Sequence, residues 1–328
     1  MNCFTSSHKE GKVILNLLPV IGITGLWMLL FGMNLMKTGL ENTARSKLRT
    51  AFKRFAGSPL KAGISGLVAT MLVQSSTAVS VLSVGFVNAG IMNLRQAIGI
   101  LLGANIGTCI TVQIISFDIT GMAIITGLTG FLLWTRGKNS SLYNLGRALS
   151  GFGLIFCGLK VISVSFAPLQ NAGWFLDYLY SLSSNPILAV VAGTLGSALL
   201  HSSAAATGIV MLLSGQGILG LPAAVALVLG NNIGTCITAV VASLAGSTAG
   251  KRVALAHVFL NMAGVALFLP LLGAFTSLIA LTADNLSRQV ANAHTLFNII
   301  SSVLAFPFIY PFAKLMEFLV SDTGGKNY

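Results

Sequence analysis

Of the 328 residues, 55% are hydrophobic and only 8% charged, where a soluble domain carries roughly 25% charged residues; a soluble enzyme or binding module is excluded, and the surrounding medium is membrane lipid. The formal net charge of +12 does not call for a nucleic-acid partner, because the lysines and arginines fall in short segments between apolar runs, where cytoplasmic loops collect them. Those runs are about twenty residues long with glycines inside them, which indicates helices and not the shorter alternating strands of a barrel. The fold class is therefore an all-α polytopic membrane protein. Cys3, Cys109, Cys157 and Cys236 are scattered, so neither a disulfide framework nor a zinc site is expected.

Residues 1–12 are polar, lack a cleavage-type pattern and read as a short N-terminal tail. A first span is expected over 13–36, followed by the most basic stretch of the chain, with Arg45, Lys47, Arg49, Lys53, Arg54 and Lys61. That stretch is placed in the cytoplasm, and the N-terminus outside. Residues 59–88 are too many for one crossing and too few for two crossings of about twenty. Split at Gln74 they give two arms of about fourteen residues, roughly 20 Å each, so a re-entrant hairpin with a polar tip near the midplane is expected. Such a tip is tolerated only where protein or water shields it. Residues 91–117 then cross outward, with Gly103, Asn105 and Gly107 expected to break the helix, and a short span over 119–134 returns to Arg136 and Lys138.

The second half repeats this order: a span over 142–166, an outer loop with Asp177, a hairpin over 186–214 with His201 at its tip, and a broken span over 217–243. Spans over 253–282 and 290–316 finish the chain, with Lys326 inside. The order divides the sequence into the tail 1–12, a first repeat 13–138, a second repeat 139–282, and a final helix and tail 283–328. Three crossings plus a hairpin make an odd number, so the second copy enters with opposite orientation: two inverted-topology repeats, each with a re-entrant hairpin and a broken transmembrane helix. On this topology about fourteen of the nineteen basic residues are cytoplasmic, and only Lys9, Lys12 and Arg288 are clearly outside. A multi-pass protein of the cytoplasmic membrane with its C-terminus inside follows.

The repeat is visible residue by residue. A shift of 127 positions, without a gap, carries Gln74, Ser75, Ser76, Thr77 onto His201, Ser202, Ser203, Ala204, and Gly103 to Thr108 onto Gly230 to Thr235. Nineteen positions are identical between Gly66–Ser116 and Gly193–Ser243. Hydroxyls and helix N-termini at two converging tips suit an oxyanion. Small polar residues also allow close helix packing, but their recurrence in register with the Asn-Ile-Gly-Thr element favours a site. The expected substrate ligands are Gln74, Ser75, Ser76, Thr77, His201, Ser202, Ser203, Asn105 and Asn232. Freed carbonyls and neutral oxygens at Gly103, Asn105, Thr108, Gly230, Asn232 and Thr235 suit a hard cation such as sodium. No Asp or Glu falls inside the expected spans, which disfavours proton coupling through a buried carboxylate. The pairs His257/Asn261 and His294/Asn298 lack accompanying carboxylates or cysteines and read as hydrogen-bonded packing, and Lys160 reads as a side chain reaching toward the outer surface, with a bias of the cavity toward anions as the alternative. Ser202 or Ser203 with His201 does not make a hydrolase, since no carboxylate orients the imidazole and the first copy lacks the His.

The doubled Gln-Ser-Ser-(Ser/Thr) and Gly-(Ala/Asn)-Asn-Ile-Gly-Thr elements resemble the type II sodium/phosphate cotransporter family over roughly residues 25–310. The resemblance implies sodium-coupled symport of inorganic phosphate by alternating access, with the two Gln-Ser-Ser regions forming the substrate and ion sites, sodium as coupling ion and no cofactor. His201 in place of Gln and Ala204 in place of a hydroxyl depart from the family pattern, so another small anion or solute on the same scaffold is the alternative. Many bacterial relatives carry a soluble helical domain after the last span, which this sequence is expected to lack; a homo-oligomer is left open.

Overall fold

A computed structural model describes the backbone of residues 3–55, 57–137, 140–244 and 246–321, with side chains described from residue 17 onward outside 45–56, 167 and 171. Met1 and Asn2 of the expected tail, Lys138, Lys326 and the side chains of Lys9, Lys12, Arg45, Lys47, Arg49, Lys53 and Arg54 lie outside the described residues. All regular elements among the described residues are helical, and six of the helices or helical runs are long and apolar enough to cross a membrane.

The first helix, α1 (Cys3–Phe55), is one rod of 53 residues, about 80 Å at 1.5 Å per residue. It includes the segment from Cys3 expected as a tail, and its apolar part is Leu17–Ala44. The first hairpin follows as α2 (Pro59–Val73) and α3 (Ser76–Asn88). At 15 and 13 residues the arms reach about 22 and 20 Å, short of a ~30 Å hydrocarbon core. Ser58 caps the first arm by accepting from the Lys61 N–H, with Pro59 at the first helical position, a pairing that suits the unbonded N–H groups there.

The next span, α4 (Leu94–Ile115), corrects an expectation: it is continuous through Gly103, Asn105 and Gly107. Its glycines serve proximity and not a break. A Cβ on Gly103 would overlap the carbonyl oxygen of Gly63 in α2, and one on Gly107 would press on Leu67 and Thr70, so the hairpin arm lies backbone to backbone on the span. Beyond α5 (Thr120–Arg136) and α6 (Ser140–Phe166), the expected outer loop contains a helix, α7 (Gly173–Ser184), which meets α8 (Pro186–Leu200) at 113°. The second hairpin is α8 with α9 (Ser203–Gly215).

The matching span is broken in this copy, into α10 (Leu221–Gly234) and α11 (Ile237–Leu244). At the break the Cys236 N–H bonds back only three residues, to Ile233. The 127-residue shift also holds for contacts: Cβ atoms on Gly230, Gly193 and Gly234 would overlap the carbonyl oxygens of Val190, Leu227 and Thr194, as those on Gly103, Gly66 and Gly107 would crowd the equivalent Gly63, Ile100 and Leu67. The span expected over 253–282 is in fact two helices, α12 (Thr248–Phe268) and α13 (Leu272–Ala280), interrupted at Pro270, which has no backbone N–H to donate. The last run, α14 (Leu286–Ala305) and α15 (Ile309–Leu319), is joined by a 3-10 turn at Phe306–Phe308.

Candidate functional site

Each hairpin turns on one residue in the left-handed conformation: Gln74 at φ 55° and His201 at φ 50°, the two non-glycine residues with positive φ among those described. An L side chain there costs about 1–2 kcal/mol, and such strain persists where the surroundings impose it. The helix beyond each turn is capped alike. Ser75 Oγ accepts from the Ala78 N–H at 3.1 Å, and Ser202 Oγ from the Ala205 N–H at 3.2 Å. The N–H groups of Ser76 and Thr77, and of Ser203 and Ala204, fall in first turns, where no intrahelical acceptor is available.

Gln74 and His201 are also held alike. The Thr111 hydroxyl donates to Gln74 Oε1 at 2.5 Å, and the Thr238 hydroxyl lies 3.2 Å from His201 Nδ1. Thr111 and Thr238 are one repeat apart, so His201 takes over the position and the partner of the amide it replaces. Thr111 and Thr238 are identical at the 127-residue shift, but sequence reading stopped at Thr108 and Thr235, because a helical Thr usually bonds its own preceding turn.

The two tips meet. Gln74, Ser75, Ser76 and Thr77 of the first and Ser202, Ser203 and Ala204 of the second line a single cavity, closed by Thr108 and Thr111 of α4, Thr235 after α10, and Lys37 of α1. Its volume is about 10 Å³, close to the room one water needs. His201 is not among the lining residues. Lys37 is a site residue that sequence reading missed: the first span was ended at Met36, at the edge of the apolar run.

Asn105 and Asn232 do not line this cavity either. Asn105 approaches His257 Nε2 and Asn261 Oδ1, each at 3.4 Å, and Asn232 Oδ1 accepts from Asn298 Nδ2 at 3.0 Å. With the Cys109 thiol facing the His294 carbonyl and the Cys236 thiol facing the His257 carbonyl, they form a buried polar layer joining α4 and α10 to α12 and α14. The six expected sodium ligands are thus divided: Thr108 and Thr235 lie at the tips, Asn105 and Asn232 in this layer, Gly103 inside an unbroken helix, and the Gly230 carbonyl accepts from Thr194 Oγ1 at 3.2 Å. No group of three or more His, Cys, Asp or Glu placed to hold a metal ion occurs among the described residues.

A larger cavity of about 300 Å³ lies further along α4 and α9, lined by Ser116, Asp118, Lys160, Ser163, Gln216 and Ser287 among others. Ile115, Leu159 and Gly208 form an apolar part of its lining, where a Cβ on Gly208 would meet Ile115 and Leu159 at 3.8 Å each. At its rim Arg288 donates to Gln113 Oε1 and Ser116 Oγ and stacks 4.0 Å over the Phe117 ring.

A family model described as Na+/Pi-cotransporter matches residues 28–164 and again 171–306. The chain is 37% identical over 264 residues to a protein of Bacillus subtilis (strain 168), YqeW, covering 80% of this chain and 86% of that one. It is 30% identical over 265 residues to YjbB of Escherichia coli (strain K12), a protein named for inorganic phosphate export, covering 81% of this chain but 48% of that one. Human sodium-dependent phosphate transport protein 2B is 32% identical over 148 residues, 42% of this chain and 21% of that one. No solved structure matches.

Proposed function

The chain belongs to the Na+/Pi-cotransporter family, and from that premise we propose that it is a sodium-coupled symporter of inorganic phosphate in the cytoplasmic membrane, with its N-terminus outside and its C-terminus inside. The observation that carries the reading is the meeting of the two hairpin tips on one cavity. Ser75, Ser76, Thr77, Ser202 and Ser203 would donate hydroxyl hydrogens to the phosphate oxygens, and the open N–H groups of the two first turns would face the same anion. Gln74 and His201, each tied to a threonine of the neighbouring span, hold the turns that aim those donors. Thr108 and Thr235 supply neutral oxygens for sodium beside the anion, so that each ion lowers the cost of desolvating the other. Asn105 and Asn232 act from behind the site, linking the spans that carry those threonines to α12 and α14.

The two volumes suit alternating access. At about 10 Å³ the tip cavity has room for a water and not for phosphate, so loading requires the tips to part. The 300 Å³ cavity is then the outer vestibule. The matched shift of 127 residues in caps, turns and glycine contacts supports a rocking of two equivalent halves, the mode inverted repeats allow. The test is binding of radiolabelled phosphate to the purified protein by scintillation proximity. Binding is expected to require sodium, and binding indifferent to sodium removal contradicts symport.

A further inference from the structure

One lining residue of the tip cavity has no part in the hydroxyl cage: Lys37. It lies in the Leu17–Ala44 apolar stretch of α1, seven residues from its end, and is half-buried. It is the one charged side chain lining the cavity; the others are Gln, Ser, Thr and Ala. Among the described residues no hydrogen bond or ion pair engages it, and Glu41, one turn further along α1, does not pair with it. A cationic side chain within a membrane segment is costly unless it faces a cavity or a partner, and it marks a pathway.

The backbone beneath it packs closely on α6. Cβ atoms on Gly32 and Gly39 would collide with the backbone of Gly151 and of Ala148 in α6, so α1 is seated at closest approach on either side of Lys37. Hydroxyls and N–H groups orient a phosphate oxygen but carry no net charge, whereas an ammonium is a compact point charge with three donors.

Resting on the symporter reading above, we propose that the Lys37 ammonium is the counter-charge of the transported oxyanion, and that it sets the preference of the site for anions over neutral solutes. The charge comes from outside both repeated motifs, which is why nothing at the position 127 residues later, Val164, duplicates it.

The experiment measures phosphate uptake into proteoliposomes under a fixed inward sodium gradient. Lys37→Gln is expected to raise the half-saturating phosphate concentration roughly tenfold or more, the scale of losing a hydrogen bond to a charged group. Its half-saturating sodium concentration at saturating phosphate should stay unchanged. Lys37→Arg, which keeps the charge, should retain most of the affinity. Lys37→Cys should be impaired, then restored by an aminoethyl methanethiosulfonate adduct and not by the neutral methyl adduct. The unmodified protein treated in parallel controls for the native cysteines. Because the adducts are formed on one folded preparation, a folding defect cannot mimic the charge-selective rescue. Unaltered phosphate half-saturation in Lys37→Gln, or equal rescue by both adducts, overturns the role of Lys37 while leaving phosphate transport standing. Absence of phosphate uptake by the unmodified protein overturns both.

Discussion

At the scale of single residues, the site is made of small groups whose chemistry depends on where the chain turns. Ser75 and Ser203 are buried at the tips, and removing either hydroxyl is expected to cost about 1.5–3 kcal/mol, the range for a hydrogen bond to a charged group. Ser75→Ala and Ser203→Ala should therefore weaken phosphate binding tenfold or more. Ser65→Ala, whose hydroxyl bonds the Lys61 carbonyl within α2, should not; equal losses at all three, by direct binding, would mean that the serines serve packing. His201 offers a second test, since its Nδ1 faces Thr238 as Gln74 faces Thr111. His201→Gln is expected to keep sodium-driven uptake and His201→Leu to lose most of it, and a Leu variant as active as the Gln variant would deny the turn its polar tether. The tip residues were legible in the sequence because polar side chains in an apolar run are expensive and here occur twice in register. Lys37 was not, because a charge at the end of a hydrophobic window reads as the end of the span.

At the scale of elements, the hairpins were readable from length alone: thirty residues fit neither one crossing nor two. The break expected in α4 was misread. Gly103 and Gly107 carry the same signal as Gly230 and Gly234, and in both copies that signal is the close seating of a hairpin arm; only the second copy also breaks, at Thr235–Cys236. Glycine pattern reports how near another backbone comes before it reports where a helix stops. Gly103→Ala is thus expected to destabilise the protein by more than the 1–3 kcal/mol typical of overpacking, because its Cβ would enter the Gly63 carbonyl and no side chain can move aside. Gly85→Ala, with open space at the same position of a helix, should be neutral or stabilising by up to about 1 kcal/mol. Thermal unfolding in detergent separates the two, and equal melting temperatures would contradict the close approach. The Pro270 interruption was present in the sequence and was passed over because the flanking apolar run is unbroken in hydropathy.

At the scale of the whole molecule, the account rests on two halves of opposite orientation closing on a shared anion. In a background lacking the native cysteines, Ser140→Cys is expected to react with an impermeant maleimide only from the cytoplasmic side and Asp177→Cys only from outside; both are exposed positions. Reaction of both from one face would contradict the inversion whatever the substrate. On the symporter reading, the tight cavity between the tips and the larger one along α4 and α9 belong to one conformation of a cycle whose turnover needs both ions. The most direct measurement is uptake of radiolabelled phosphate into proteoliposomes holding the purified protein, with an inward sodium gradient and with sodium replaced by potassium. Accumulation above equilibrium with the sodium gradient, and its disappearance without it, is the predicted result; uptake of the same rate and extent under both conditions would contradict sodium-coupled phosphate symport.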